Sequence, residues 1–170
     1  MKLINTFTKL TLVFLLATFG SVQAQSLSHA EVMAIKAEIS VLVNEYAYHR
    51  DNKDAVAYAN TFAEDGKLVI GGNAVEGRAA IQKRVEGANQ ESVGMHMMAT
   101  GYVEVIDANN ATGTHYAAVY GAAPVEGAEG QPIEITGPIT QGKYTDKYTN
   151  TAEGWKLAER SFTRVYVTAK

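Results

Sequence analysis

The chain has 170 residues, which is enough for one domain with a hydrophobic core, and its lack of cysteine excludes disulfide bonds. Its 15 basic and 18 acidic residues give a net charge of -3, and this balance argues against nucleic-acid binding, which needs a basic surface. No two of its four histidines have the helical spacing of a zinc site, and no H-E-x-x-H motif occurs, so we expect no metal centre.

Residues 1–24 have the layout of a secretory signal peptide. Lys2 and Lys9 supply positive charge, residues 10–19 form an apolar run, and the small side chains of Val22 and Ala24 predict cleavage after Ala24. The run is short for a membrane span, and an uncleaved anchor is the alternative. The segment holds two lysines and no acid, so residues 25–170 carry a charge of -5. We expect these residues to form a single periplasmic or secreted domain that is free of the membrane after cleavage.

Two helices are predicted at the start of this domain. Ser28 and Glu31 fit a capping box, and apolar residues then recur at helical spacing as far as about Arg50. A second helix carries its apolar residues up to Phe62 and ends before residue 65, with Asp54 as its N-cap. A short strand over residues 67–70, a turn at residues 71–73 and a third helix over about residues 77–87 follow.

Residues 95–120 are predicted to form a long β-hairpin with its turn at residues 107–110. A four-residue turn would pair Ile106 with Ala111 and place His96 opposite Gly121. Because side chains alternate along a strand, the even-numbered residues 96–106 would then share a face with His115 and the other odd-numbered residues of 111–121. His96, flanked by methionines at the start of this strand, is the most reactive candidate on that face.

Residues 121–137 resemble a loop, and all three prolines lie in it or at its end. A loop of this length is often a functional lid, and a tolerated surface insertion is the alternative. Two further strands are predicted over Ile139–Tyr148 and Trp155–Thr168. This order of elements predicts an α+β fold in which a curved antiparallel sheet wraps around three N-terminal helices and forms a cone with a central cavity.

Several local motifs occur in a characteristic order: Phe62-Ala63-Glu64-Asp65-Gly66, Glu76-Gly77-Arg78-Ala79-Ala80-Ile81, the His96-Met97 strand start, and Gly154-Trp155-Lys156-Leu157 with Arg160. Together they resemble a SnoaL-like domain of the nuclear transport factor 2-like superfamily. The resemblance covers about residues 28–168. The superfamily includes enzymes, binding modules and association domains, so the resemblance is more specific for the fold than for the function.

One branch of this superfamily contains scytalone dehydratase, lindane dehydrochlorinase and bile-acid dehydratases. That branch carries an aspartate near the end of the first helix and a histidine at the start of a long strand, and Asp51 and His96 match these positions. The resemblance implies that His96 is a general base and that Asp51 fixes its tautomer and stabilises the imidazolium. The chain departs from the branch at Gly121, where the predicted register lacks the second histidine, and at Arg50, which replaces a tyrosine.

Four further residues are candidates for the pocket around this pair: Tyr46, Met98, Tyr144 and Arg160. A methionine in the wall suits an apolar ligand, and Tyr144 is a candidate hydroxyl donor. Arg160 either orients a polar or anionic ligand or pairs with an acid within the fold.

Two functions are consistent with these features. The first is an exported, cofactor-free lyase or isomerase of the dehydratase type that acts on a small hydrophobic compound through Asp51 and His96. The alternative is a non-catalytic periplasmic ligand-binding or association module that is dimeric through the outer face of its sheet. In the alternative, His96 is hydrogen-bonded within the sheet and Asp51 only ends a helix. We expect His49 and His115 to be ordinary surface or sheet residues.

Overall fold

The computed structural model describes residues 26–123 and 130–167, so the predicted signal peptide lies outside the described residues. These residues form three helices and six strands, with all three helices before the last four strands, which is the predicted α+β class. Their bounds are α1 His29–Asp51, α2 Ala55–Asn60, β1 Phe62–Ile70, β2 Asn73–Glu76, α3 Arg78–Glu86, β3 Val93–Val105, β4 Asn110–Ala122, β5 Thr140–Thr151 and β6 Gly154–Val167.

Helix α1 begins at the predicted capping box. The backbone N–H of Glu31 donates to the Ser28 hydroxyl at 3.3 Å, and the backbone N–H of Ser28 donates to the Glu31 carboxylate at 2.7 Å. At the other end, Lys53 adopts a left-handed φ of 58°, and the Asp54 side chain accepts the backbone N–H of Ala57 at 3.0 Å. This confirms Asp54 as the cap of α2. The tight junction between the two helices fixes where the last residue of α1, Asp51, lies.

The six strands form one curved, unclosed sheet in the order β2-β1-β6-β5-β4-β3. Four of the five strand pairs are antiparallel, as predicted, whereas β1 runs parallel to β6. The parallel pair arises because α3 and the β3–β4 hairpin separate β1 from β6 in the chain. Strand β3 lies at one edge of the sheet and packs against α1.

One face of the sheet and the helices enclose the hydrophobic core. Aromatic side chains fill its centre, and aliphatic side chains of α1, α3, β1 and β6 surround them. The fully or nearly fully buried members include Ile39, Tyr46, Tyr58, Phe62, Leu68, Ile81, Tyr144, Tyr148 and Leu157.

Strand β1 begins earlier than the sequence predicts. The sequence pattern places Phe62 within the second helix, but Phe62 is fully buried and pairs with Leu157 of β6. The backbone N–H of Leu157 also donates to the carbonyl of Thr61 at 2.9 Å. Burial of Phe62 in the sheet therefore outweighs the helical pattern that precedes it. The short strand β2, which pairs with β1, was not predicted.

The β3–β4 hairpin differs from its predicted register at two points. The turn pairs Val105, not Ile106, with Ala111. A β-bulge then places Ala99 and Thr100 between the pairs Met98–Ala117 and Gly101–His115. Each change moves the partner of His96 by one residue, so His96 lies opposite Val119 and not opposite Gly121. Because the partner of His96 moves by two residues in total, His96 keeps the predicted face of the sheet.

The bulge also changes which residues of β3 face the core. His96 and Met98 share a face with Val119 and Ala117, as predicted. Beyond the bulge, Gly101 pairs with His115, and the even-numbered residues point to the other side. Tyr102 is consequently 68% exposed. An extra residue in one strand reverses the alternation because the side-chain period is two.

Candidate functional site

Asp51 and His96 meet in the structure. One carboxylate oxygen of Asp51, Oδ1, lies 2.5 Å from Nδ1 of His96, and the other, Oδ2, accepts the backbone N–H of His96 at 2.7 Å. The two side chains are mostly buried, with 20% and 14% of their surface exposed. A carboxylate accepts hydrogen bonds only, so Nδ1 donates the proton, and in the neutral imidazole Nε2 carries the free lone pair.

The position of His96 on an edge strand explains the double contact. Strand β3 has β4 on one side only, so alternate backbone amides of β3 point away from the sheet. The amide of His96 is one of these, and Asp51 at the end of α1 satisfies it. The same carboxylate thus holds both the backbone and the ring of His96, which fixes the ring orientation relative to α1.

The Asp51–His96 pair lines a cavity of about 400 Å³, which we call the dyad cavity. Its volume lies in the range of small-molecule sites. The wall combines apolar side chains with two cations and the glycine at position 121. Its described lining consists of Arg50, Asp51, Lys53, Ser92, Val93, Gly94, His96, Val119, Tyr120, Gly121, Ala122, Ala123 and Ile139.

Arg50 is the free cation of this cavity. Within residues 26–123 and 130–167, its guanidinium makes no hydrogen bond or ion pair, whereas Lys53 donates to the carbonyl of Gln90. Arg50 also lines a neighbouring cavity of about 270 Å³ together with Tyr58 and Arg84. An anionic group that enters the dyad cavity would therefore find an unneutralised guanidinium beside His96.

The four residues predicted to surround this pair lie elsewhere. Tyr46, Tyr144 and Arg160 are almost completely buried in the core, and the described lining of the dyad cavity includes none of the three. The guanidinium of Arg160 lies 4.1 Å from the ring centre of Tyr46 and 4.5 Å from that of Tyr144. These three side chains pack against one another in the core, away from the described lining of the dyad cavity. Met98 lines a second cavity, described below.

Arg160 pairs with an acid within the fold, which was the structural alternative for this residue. Its Nε and Nη2 donate to the two carboxylate oxygens of Asp146 at 2.8 and 2.7 Å, and both side chains are fully buried. Asp146 also accepts the hydroxyl proton of Tyr148 at 2.7 Å. Arg160 Nη1 is buried without a hydrogen-bond partner among the described residues.

His115 extends this buried network, contrary to its expected role as an ordinary sheet residue. Its Nε2 lies 3.0 Å from the Tyr148 hydroxyl oxygen, and its side chain is 8% exposed. Burial lowers the pKa of His115, while the charge of Asp146 opposes this shift. Burial, followed by the charge of Asp146, raises the pKa of Tyr148. We call His115, Tyr148, Asp146 and Arg160 the buried quartet.

A sequence signal for the buried quartet exists in β5. Tyr144, Asp146 and Tyr148 alternate along the strand and therefore share one face, so a carboxylate stands between two inward aromatic residues. An acid at an inward position requires a buried partner, and Arg160 on β6 pairs with Asp146 in the sheet register.

Among the described residues, no group of three or more His, Cys, Asp or Glu side chains could hold a metal ion. No helix in that part of the chain combines the length and apolarity that crossing a membrane requires.

The model of the SnoaL-like domain family matches residues 31–161. The chain belongs to the SnoaL-like domain family. No curated protein matches it. This assignment confirms the resemblance drawn from the local motifs, and it covers every element described above except the first two residues of α1 and the end of β6.

Solved structures share the fold of this SnoaL-like chain at low identity. A protein assigned as a scytalone dehydratase from Novosphingobium aromaticivorans is 18% identical, with a TM-score of 0.70 over 83% of this chain and 91% of that one. A hexachlorocyclohexane dehydrochlorinase from Novosphingobium barchaimii is 19% identical, with a TM-score of 0.68 over 83% and 93%. A protein of unknown function from Mycobacterium tuberculosis is 21% identical, with a TM-score of 0.67 over 79% of each chain.

Proposed function

We propose that this chain is a cofactor-free lyase or isomerase that acts on a small, largely apolar compound in the dyad cavity. The observation that carries the proposal is the contact of Asp51 with both the ring and the backbone amide of His96 in the wall of that cavity. The dehydrochlorinase and dehydratase assignments of structural neighbours favour an elimination.

In the proposed elimination, Nε2 of His96 removes a proton from a carbon of the substrate. The electron pair of the broken C–H bond forms the new double bond, and the leaving group departs with the electrons of its own bond. Asp51 stabilises the imidazolium that forms, because its carboxylate already accepts the Nδ1 proton. In an isomerisation, the proton returns from Nε2 to a different carbon.

The leaving group needs stabilisation from a residue other than a second histidine. Val119 lies opposite His96, and Gly121 pairs with Gly94, so β4 offers no imidazole at either position. Arg50, whose guanidinium makes no hydrogen bond or ion pair among the described residues, lines the same cavity. We assign Arg50 the role of stabilising negative charge that develops on the leaving group.

A substrate screen followed by His96→Gln tests this function. We expect turnover to fall by on the order of 10²–10⁴, which general acid–base catalysis commonly contributes. The melting temperature should change little, because the ring is at the cavity wall and glutamine retains polar groups. The screen should include chlorinated and hydroxylated alicyclic compounds, with release of halide or loss of water as the readout.

His29→Gln is the matched control, since His29 is an exposed residue at the start of α1. Its turnover should equal that of the unaltered protein. An active enzyme whose rate is the same in His96→Gln and His29→Gln would refute the role of His96.

The apolar residue opposite His96 favours a second candidate function, a non-catalytic ligand-binding or association module. We propose that such a module is dimeric through the outer face of the sheet, where Met95, Met97 and Tyr116 are more than half exposed. Light scattering combined with size-exclusion chromatography would show a monomer if this interface does not form. Ligand binding without turnover, unchanged in His96→Gln, would favour this candidate over the enzyme.

We also propose that residues 1–24 direct export to the periplasm or the medium. The support is the signal-peptide pattern of Lys2, the apolar run and Ala24. Cell fractionation with N-terminal sequencing should find a mature chain that begins at Gln25. A full-length chain in the cytoplasm would contradict this proposal.

A further inference from the structure

A second cavity lies between α1 and the bulge of β3, and we call it the bulge cavity. Its volume is about 370 Å³, which suits a small molecule. The Asp51–His96 pair does not belong to its described lining. The described lining consists of Lys36, Ser40, Val43, Asn44, Met98, Ala99, Thr100, Gly101, Tyr102, Val103 and His115.

Gly101 exposes one edge of His115 to this cavity. The two residues pair across the hairpin, and a Cβ on Gly101 would lie 1.9 Å from Nδ1 of His115. The imidazole thus occupies the space that a side chain at position 101 would fill. Nδ1 makes no hydrogen bond within the described part of the chain. The cavity therefore contains a ring nitrogen that is available to a ligand.

The buried quartet determines which proton His115 carries. Asp146 is held by Arg160 and accepts the hydroxyl proton of Tyr148, because a carboxylate has no proton to offer. The Tyr148 oxygen is then left as an acceptor for Nε2–H of His115, 3.0 Å away. With its proton on Nε2, the neutral imidazole presents Nδ1 as an acceptor. A ligand in the bulge cavity must therefore place a hydrogen-bond donor at Nδ1.

The remaining lining specifies the other features of the ligand. Lys36 is the charged residue of the described lining, and no acid accompanies it. Its ammonium lies 5.9 Å from the ring centre of Tyr102. Met98, Val43 and Val103 supply an apolar wall, and a thioether packs well against an aromatic ring. The apolar wall therefore favours a ligand with a flat apolar ring, and Lys36 favours a ligand with an anionic group.

We propose that the bulge cavity is a binding site for small hydroxyaromatic carboxylates, in which the ligand hydroxyl donates to Nδ1 of His115 and the carboxylate binds Lys36. This site is separate from the dyad cavity, and it does not depend on the catalytic role proposed for His96.

Titration of the full chain with 4-hydroxybenzoate, with benzoate as the matched probe without a hydroxyl, tests the site. In a long-range ¹H–¹⁵N spectrum of the free protein, we expect the His115 ring proton on Nε2. Saturation with 4-hydroxybenzoate should move the Nδ1 resonance of His115 and leave the His96 resonances in place. Benzoate should bind about tenfold more weakly, since it lacks one hydrogen bond.

Two variants show where the probe binds, and His96→Gln is the control. Lys36 is half-buried outside the core. Lys36→Met should weaken 4-hydroxybenzoate by about threefold to tenfold, because a charge pair that solvent still reaches is worth up to about one hydrogen bond. His115→Phe should make the two probes bind equally. His96→Gln should bind both probes as the unaltered protein does.

Three results would overturn the proposal. They are a His115 proton on Nδ1, the absence of any shift at His115 at millimolar probe, and binding that His96→Gln abolishes while Lys36→Met leaves it intact. None of them bears on turnover, so a failure of this site is distinguishable from a failure of the proposed catalysis.

Discussion

Among the described residues, the Asp51–His96 pair and the buried quartet both combine a histidine with a carboxylate, but in different environments. Asp51 contacts His96 directly at the wall of a cavity, and both side chains keep some exposure to solvent. The hydrogen bonds between His115 and Asp146 run through the hydroxyl of Tyr148, His115 Nε2 itself lies 3.8 Å from Asp146 Oδ2, and Arg160 neutralises that carboxylate. The first arrangement leaves a carboxylate available to stabilise an imidazolium. In the second arrangement the carboxylate of Asp146 already pairs with Arg160, and the imidazole of His115 stays neutral.

This difference shows that residue types alone do not define a proton-transfer site. A carboxylate that already pairs with a buried arginine gains little from a second cation. Burial acts in the same direction, because a low-polarity environment disfavours the charged form of His115.

The largest effect on stability should come from Asp146→Asn. This change leaves the fully buried Arg160 guanidinium without a counter-charge, and breaking a buried pair in this way commonly costs about 3–5 kcal/mol in the free energy of unfolding. Glu159→Gln is the matched control, since Glu159 pairs with Lys147 at the surface of the same two strands and should cost under about 1 kcal/mol. Equal urea midpoints for the two variants would show that the buried quartet is not a stabilising centre.

Tyr148→Phe should have a smaller effect. It removes the donor to Asp146 and the acceptor for His115 Nε2–H, and an unsatisfied buried polar group costs about 1–3 kcal/mol. Tyr116→Phe, on an exposed tyrosine of the adjacent strand, should leave the free energy of unfolding unchanged. If urea denaturation of Tyr148→Phe matches that of Tyr116→Phe, the hydroxyl does not link His115 to Asp146.

The smallest effect concerns the pH dependence of stability. Burial lowers the pKa of His115 in the folded state from 6.5, so the unfolded state binds more protons near this pH. The free energy of unfolding should therefore fall as the pH decreases through about 6.5, and this contribution should level off below the folded-state pKa. In His115→Phe the decline between about pH 7.5 and about pH 5.5 should be shallower. A steeper decline in this variant would mean that the buried imidazole is charged.

Much of the fold could be predicted from local signals. The capping residues Ser28 and Asp54 and the order of the strands gave the α+β class, and the resemblance gave the pair of Asp51 and His96. The start of β1 at Phe62 could not be predicted, because it depends on pairing with a strand that lies about ninety residues later in the chain.

The bulge in β3 could not be predicted from propensity, since Ala99 and Thr100 also fit a regular strand. Gly101 was the available signal, because a glycine inside a strand often marks a bulge or a close approach of another group. The pocket candidates Tyr46, Tyr144 and Arg160 were chosen from residue type and place in the chain, and neither reveals that the three side chains stack together or that Asp146 is the partner of Arg160.

The hydrogen bond from the backbone of His96 to Asp51 has a consequence for solubility. An exposed sheet edge with open amides is a template for strand addition by another chain, and natural proteins commonly place charge there to prevent it. The carboxylate of Asp51, at the end of α1, binds the amide of His96 on this edge, next to the exposed side chains of Met95 and Met97. The carboxylate that orients the imidazole therefore also covers one of the open amides on the edge strand of the β3–β4 hairpin.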